Sequence, residues 1–249
     1  MRFAEFFAGI GGFRLGLERA GHECVWACEI NPYARTVYER RFAPVPFQRD
    51  IHHVRPEEIV PADLWVGGFP CQDISSAGAR SERRYLDGSR SGLWWSWYRL
   101  ISAVRPPVLV VENVPGNLDR WLPELLGSLA EIRYHALWFP LSLSEFGAPD
   151  RRTRIVIVAY ADGQRRATVA QSHSEAQAEE GLQGEHRGNS DRPMRWSAEP
   201  TSSRVADGVS RRMDRARLHA IGNSFSPIAA EWIGWRLWTV LPLKDDCDF

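Results

Sequence analysis

Short apolar runs alternate with amphipathic stretches over the first 160 residues of the chain. Residues 108–111 and 155–158 contain only branched aliphatic side chains, which is typical of strands covered on both faces. The alternation predicts a doubly wound α/β fold with a mostly parallel sheet. The predicted strands are 2–7, 23–27, 64–67, 108–112, 136–140 and 154–159, and the predicted helices are 13–20, 32–41, 93–104 and 121–131.

The pattern stops near residue 160 and resumes close to the end of the chain. Residues 161–193 have Val169 and Leu182 as their only large aliphatic side chains, too few to offset the entropy of ordering. They are interpreted as a linker or disordered insertion. A final helix is predicted over residues 227–239, and we expect its tryptophans to form a single stripe that packs on the core. These tryptophans are Trp232, Trp235 and Trp238.

The charge balance, the cysteines and the first residues of the chain limit which kinds of partner, metal site and location are expected. The 249 residues include 31 basic and 31 acidic side chains, so a nucleic-acid surface would have to be local. The basic candidate is residues 191–219, where seven arginines face four acidic residues. The four cysteines have neither disulfide nor metal-site spacing, so we expect no metal. The first residues lack the apolar stretch of a signal peptide, which favours a cytoplasmic protein.

A glycine-rich turn, Phe7–Gly12, follows the first predicted strand and opens the first helix. Such turns let backbone N–H groups approach a ligand, but by itself the turn fits a dinucleotide, a nucleoside cofactor or a plain tight turn. Glu29 ends the second strand, where an acid would accept hydrogen bonds from a ribose. Asp50 and Ile51 follow a further short strand, between those at 23–27 and 64–67, where an adenine edge would lie. Together these positions favour an adenosine-bearing ligand.

Two further strand ends carry candidate chemistry. Cys71 follows Pro70 directly after the strand at 64–67, where ligands gather in an open α/β sheet. Glu112 ends the strand at 108–112 and could act as an acid or base. Arg152 and Arg154 enter the last long strand and add positive donors. Taken singly, the thiol could be inert and the charged residues could be caps or surface groups.

The order of these motifs closely resembles the cytosine-5 DNA methyltransferase family. The shared features are the glycine turn, Pro70-Cys71-Gln72, Glu112-Asn113-Val114, the arginine pair and Gly222-Asn223-Ser224. The resemblance implies a Rossmann-like fold that uses S-adenosylmethionine to methylate carbon 5 of a cytosine flipped out of duplex DNA. It implies action beside a separate restriction endonuclease or as an orphan bacterial or phage enzyme, and we expect a monomer.

The resemblance also implies roles for individual residues. The implied catalytic residues are Cys71, Glu112, Arg152 and Arg154. The implied cofactor-binding residues are Phe7, Gly9, Gly11, Glu29, Asp50, Ile51, Pro70, Asn223 and Ser224. The DNA contacts are assigned to Gln72 and Ser75 in the loop after Cys71, and to Arg211 and Arg212 in the basic stretch.

The chain departs from the family pattern at three places. Asp150 stands where glutamine is usual, and Phe225-Ser226 replaces a smaller apolar pair. More importantly, about sixty residues take the place of a full target-recognition domain. We therefore divide the chain into a catalytic and cofactor-binding unit, 1–160, a reduced recognition region or linker, 161–203, and a segment that returns to the catalytic unit, 204–249.

Three other functions compete with a DNA methyltransferase. The thin recognition region would suit a non-catalytic relic, although the intact Cys71, Glu112 and Arg154 argue against one. An RNA-methylating relative is disfavoured because the Pro70-Cys71-Gln72 region is similar to the DNA branch. A dehydrogenase is strongly disfavoured, since no motif in the sequence after the glycine turn is typical of a hydride-transfer site.

Overall fold

The computed structural model describes residues 1–70, 92–148, 152–162 and 220–240. Their strands are β1 (Arg2–Phe6), β2 (Glu23–Cys28), β3 (Phe47–Gln48), β4 (Leu64–Gly68), β5 (Val108–Asn113), β6 (Tyr134–Ser142) and β7 (Thr153–Ala161). Their helices are α1 (Gly12–Arg19), α2 (Pro32–Arg41), α3 (Leu93–Val104), α4 (Leu118–Glu131) and α5 (Pro227–Val240). None of the described helices is long and apolar enough to cross a bilayer.

The strands form one sheet in the order β3-β2-β1-β4-β5-β7-β6. The pairs from β3 through β5 are parallel, while β7 runs antiparallel to both β5 and β6. The predicted doubly wound, mostly parallel fold is therefore confirmed. Because the chain winds outward from β1 in one direction and from β4 in the other, the crevice between these two strands is the switch point at which such sheets bind ligands.

Helices cover both faces of the sheet, as the uniformly apolar strands predict. On β5, Leu109 and Val111 pack toward α3 and α4. Val108 and Val110 point to the opposite face, toward α1 and α5. The alternation matters for function because Glu112 continues the second series and therefore emerges on the α1–α5 side.

The predicted boundaries of α2 and α3 match the structure, whereas β6 is longer at both ends than expected. The start of α2 is fixed by capping interactions near its first residues. Asn31 accepts hydrogen bonds from the N–H groups of Tyr33 and Ala34, at 2.9 and 3.2 Å. Pro32 occupies the first turn, where its missing N–H costs nothing.

The prediction that the α5 tryptophans form a single docking stripe is wrong for Trp235, which is 55% exposed. The buried face of α5 is instead centred on Ala230, Ile233 and Leu237. At 100° per residue, Trp235 lies opposite that face. The other two tryptophans lie at its flanks: Trp232 packs edge-on against Phe139, and Trp238 donates its indole N–H to the Ala20 carbonyl at 2.9 Å.

Close backbone contact between α1 and α5 brings the end of the chain back to its beginning. A Cβ at Gly16 would collide with the Pro227 carbonyl, the Ala230 side chain and the Glu231 nitrogen. One turn earlier, Gly12 lies against the Phe225 carbonyl and the Ser224 hydroxyl. The absence of side chains at these two positions lets α5 and the segment before it pack directly on α1.

We expect Gly16→Ala to lower the free energy of unfolding by about 1–3 kcal/mol, because the added methyl overpacks the α1–α5 contact. The matched control is Gly127→Ala in α4, where a Cβ meets nothing within 4 Å. There the gain in helix propensity should raise stability by about 0.5–1 kcal/mol. Urea unfolding of both variants measures the difference, and equal effects would contradict the packing explanation.

Candidate active site

A buried ion pair joins β5 to β7 at the edge of the crevice. The Nε of Arg154 lies 2.9 Å from the Glu112 Oε1, and the two side chains are 15% and 11% exposed. The sheet register explains the contact: Glu112 is paired with Val156, so Arg154 is its diagonal neighbour on the same face. The structure therefore brings together two of the residues that the sequence assigned to catalysis.

Burial controls the protonation of this carboxyl. It raises the pKa of Glu112 to about 7, even though the positive charges of Arg154 and Arg152 act to lower it. A carboxyl with a pKa near neutrality can donate a proton or accept one at physiological pH. The surroundings of Glu112 thus suit an acid that must hold a proton until it is needed.

The end of β4 lies next to Glu112. Its last residue, Gly68, pairs with Glu112, and a Cβ at Gly68 would collide with the Glu112 Oε2. A glycine is therefore required for the carboxyl to occupy this position. Phe69 is buried next to Trp94 and Trp121, so the backbone is anchored up to Phe69. Cys71, Gln72 and Ser75 lie outside the described residues, as do Asp150, Arg211 and Arg212.

Asn113, next to Glu112, emerges on the other face of β5. It is 1% exposed, and its Oδ1 accepts the Val114 N–H at 2.8 Å. Its Nδ2 has no hydrogen-bond partner within the part of the chain that the structure describes. The Glu112-Asn113 pair thus directs a carboxyl to one side of the strand end and an amide to the other.

The two arginines share an acceptor in the returning segment. Arg152 Nη1 and Arg154 Nη2 donate to the Gly222 carbonyl at 3.1 and 3.2 Å. Gly222 precedes Asn223 and Ser224, and Ser224 lies against Gly12 at the start of α1. The Gly-Asn-Ser segment therefore bridges the ion pair and the glycine turn.

The glycine turn itself has backbone conformations that suit a ligand site. Phe7, Gly9 and Gly11 all have positive φ, at 52°, 55° and 84°. A Cβ at Gly9 would meet nothing within 4 Å, whereas one at Gly11 would collide with Phe42. Gly9 therefore faces open space, and Gly11 is required by packing.

Glu29 supports this turn from the end of β2. One carboxylate oxygen accepts the Gly9 N–H at 2.8 Å, and the other accepts the Asn31 N–H at 2.7 Å. Each oxygen keeps a lone pair for a further donor such as a ribose hydroxyl. Asp50 caps the short helical turn Ile51–His53 by accepting the His52 N–H at 3.0 Å.

One residue that the sequence analysis missed stands out beside Glu29. Ile30 is 64% exposed and lies two residues beyond the end of β2, next to Glu29. A large aliphatic side chain beside a polar site is a candidate platform for a flat ligand. The sequence signal was an isoleucine just beyond the predicted strand.

Comparison with known proteins agrees with this geometry. Residues 1–225 match the family of C-5 cytosine-specific DNA methylases. The chain is 36% identical over 184 residues to the type II methyltransferase M2.BsuMI of Bacillus subtilis, covering 70% of this chain and 46% of that protein. It is 33% identical over 164 residues to M.HhaI of Haemophilus parahaemolyticus, covering 64% and 49%. The chain thus spans about half the length of these curated relatives.

Solved structures give the same answer for the fold. A crystal structure assigned as a DNA modification methyltransferase encoded within an E. coli prophage superimposes with a TM-score of 0.55 at 28% identity, covering 65% of this chain and 47% of that chain. The S. pombe Dnmt2 methyltransferase has a TM-score of 0.58 at 23% identity, covering 75% and 58%. Since the family match runs through most of the sequence, from β1 to the segment before α5, this chain belongs to the C-5 cytosine-specific DNA methylase family.

Proposed function

We propose that this chain transfers a methyl group from S-adenosylmethionine to carbon 5 of a cytosine in duplex DNA. The observation that carries the proposal is the buried Glu112–Arg154 pair beside the strand that leads to Pro70 and Cys71. Membership in the family supplies the reaction class, and the pKa of Glu112, raised to about 7 by burial, supplies the acid that this chemistry needs.

The roles follow from the electronics of the pyrimidine. The Cys71 thiolate adds to carbon 6 and forms a C–S bond, which makes carbon 5 nucleophilic. Negative charge then builds on the ring, and protonated Glu112 relieves it by donating to nitrogen 3. Arg154 binds the ring carbonyl oxygen with the same guanidinium that holds Glu112. Carbon 5 then takes the methyl group, and S-adenosylhomocysteine is the leaving group. Loss of the carbon-5 proton to a base, expulsion of the Cys71 thiolate and return of the nitrogen-3 proton to Glu112 restore the aromatic ring.

The residues present fit S-adenosylmethionine. Gly9 opens onto free space and Glu29 keeps acceptor capacity, so these two would hold the ribose side. Phe7 and Gly11 shape the turn, Asp50, Ile51 and the exposed Ile30 would contact the adenine, and Pro70, Asn223 and Ser224 would close the methionine end. When bound, the cofactor supplies the electrophilic methyl group that carbon 5 accepts.

The recognition of DNA is proposed to be reduced as well. Residues 161–203 would stand in place of a full recognition domain, and the basic stretch 191–219, which begins within them, offers arginines for phosphate contacts. We infer that Gln72 and Ser75 approach the flipped base from the Cys71 loop and that Arg211 and Arg212 bind the duplex. Bisulfite sequencing of a plasmid expressed with the chain tests activity and target sequence together.

Covalent trapping tests the central role of Cys71. With S-adenosylmethionine and DNA containing 5-fluorocytosine, the native chain should form a protein–DNA adduct that survives denaturing electrophoresis, because fluorine blocks proton loss from carbon 5. Cys71→Ser should form none. Cys247→Ser, which also removes one thiol, is the matched control and should trap normally. A native chain that binds DNA without forming an adduct would favour the non-catalytic relic, and methylation of tRNA alone would favour the RNA-methylating alternative.

The pH profile tests the role of Glu112. Only the protonated carboxyl can donate, so kcat/KM should fall as pH rises through about 7, the pKa that burial gives Glu112. Glu112→Gln should lower the rate by about 10²–10⁴-fold and remove this alkaline limb, since an amide keeps its donor at every pH. The exposed Glu131→Gln should leave the rate and the profile unchanged. An alkaline limb that persists in Glu112→Gln would belong to another group.

Salt dependence tests the basic stretch. Replacing both Arg211 and Arg212 by alanine should weaken DNA binding and reduce the slope of log K against log salt by about one to two, since each phosphate contact contributes roughly 0.9. The exposed pair Arg40 and Arg41 on α2 provides a control of equal charge. Unchanged binding in the Arg211/Arg212 variant would remove this stretch from the DNA interface.

A further inference from the structure

Two guanidinium groups converge on one backbone carbonyl at the rim of the candidate active site. Arg152 Nη1 lies 3.1 Å from the Gly222 oxygen and 3.5 Å from the Ile221 oxygen, and Arg154 Nη2 lies 3.2 Å from the Gly222 oxygen. A carbonyl oxygen has two lone pairs and can accept both donors. Each donor carries a full charge, which strengthens its hydrogen bond.

This carbonyl belongs to a short segment that ends at the glycine turn. The Ser224 N–H donates to the Ile221 carbonyl at 3.2 Å, which closes a tight turn. The Ser224 hydroxyl and the Phe225 carbonyl then lie against Gly12, and the Phe225 ring stacks on Phe13 with centroids 4.2 Å apart. A displacement of residues 221–225 would therefore alter the packing at the start of α1.

At the other end, Arg154 is held on two sides. Its Nε contacts Glu112 at 2.9 Å while its Nη2 contacts Gly222. A planar guanidinium bound at two edges has little rotational freedom. The orientation of the Arg154–Glu112 pair thus depends on where the Gly222 carbonyl sits, and Arg152 also holds that carbonyl.

We propose that Arg152 is a positioning residue that fixes the Gly222 carbonyl and thereby couples the cofactor site to the pocket for the target cytosine. This proposal rests on the proposed function. Arg152 holds Gly222 and through it Arg154, and its charge acts on Glu112 without a direct contact. It is therefore a positioning residue, which revises its initial assignment as a catalytic residue. Cofactor contacts with Asn223 and Ser224 would favour the arrangement of residues 221–225 that orients Arg154. By linkage, a bound cytosine would favour cofactor binding by the same factor.

The test compares Arg152→Ala, Arg152→Lys and Arg105→Ala. Arg105 provides the matched control because it also donates to a backbone carbonyl, that of Ile132 at 2.7 Å, far from the site. Hydrogen exchange measures how firmly the segment is held. In Arg152→Ala the Ser224 amide should exchange roughly tenfold faster, Arg152→Lys should lie between this variant and the native chain, and Arg105→Ala should match the native chain.

Coupling is measured as the ratio of the Kd values for S-adenosylhomocysteine without and with duplex DNA carrying the mapped target. Arg152→Ala should lower this ratio at least about fivefold. Unchanged exchange at Ser224, or a native coupling ratio in Arg152→Ala, would overturn the proposal. Failure of the proposed function would look different: the native chain would show no methylation and no adduct, and the exchange comparison would still decide whether Arg152 holds the segment.

Discussion

The neighbouring positions of β1 and β4 in the sheet are the constraint on which the candidate site depends. Parallel strands end at the same edge, so this pairing places the glycine turn after β1 beside the chain that leaves β4 for Pro70 and Cys71. β5 adds Glu112 next to Gly68, and β7 adds Arg154 by running antiparallel to β5. The order of the strands therefore places the glycine turn and the acid Glu112 at one crevice.

The Glu112–Arg154 pair shows how the fold adjusts chemistry through burial. Burial costs the Glu112 carboxylate more hydration free energy than its attraction to Arg154 returns. The pKa of Glu112 therefore stays raised, to about 7, although the Arg154 guanidinium lies 2.9 Å away. Arg154 limits the rise in the pKa of Glu112 and orients its carboxyl group. Removal of Arg154 would leave a buried carboxyl without its charged partner, which would disturb both stability and protonation.

Close backbone packing joins distant parts of a chain that aligns with only about half the length of its curated relatives. Gly12 and Gly16 allow the segment around Ser224 and the helix α5 to lie directly on α1. This contact brings residues 224–240 back to the first helix and places Gly222 beside the two arginines. The described residues thus keep the glycine turn, the Gly222 segment and the Glu112–Arg154 pair in one place.

Local sequence features are enough to predict a mostly parallel sheet, most of the helices and the chemical groups of the candidate site, because apolar runs, the Pro32 start of α2 and residues at strand ends can be recognised along the chain. Tertiary structure alone decided the rest. The raised pKa of Glu112 depends on burial by several elements, the meeting of Arg152 and Arg154 at Gly222 joins positions nearly 70 residues apart, and Trp235 faces outward because α1 contacts only one side of α5. These outcomes depend on distances between elements, which a pattern along the chain does not contain.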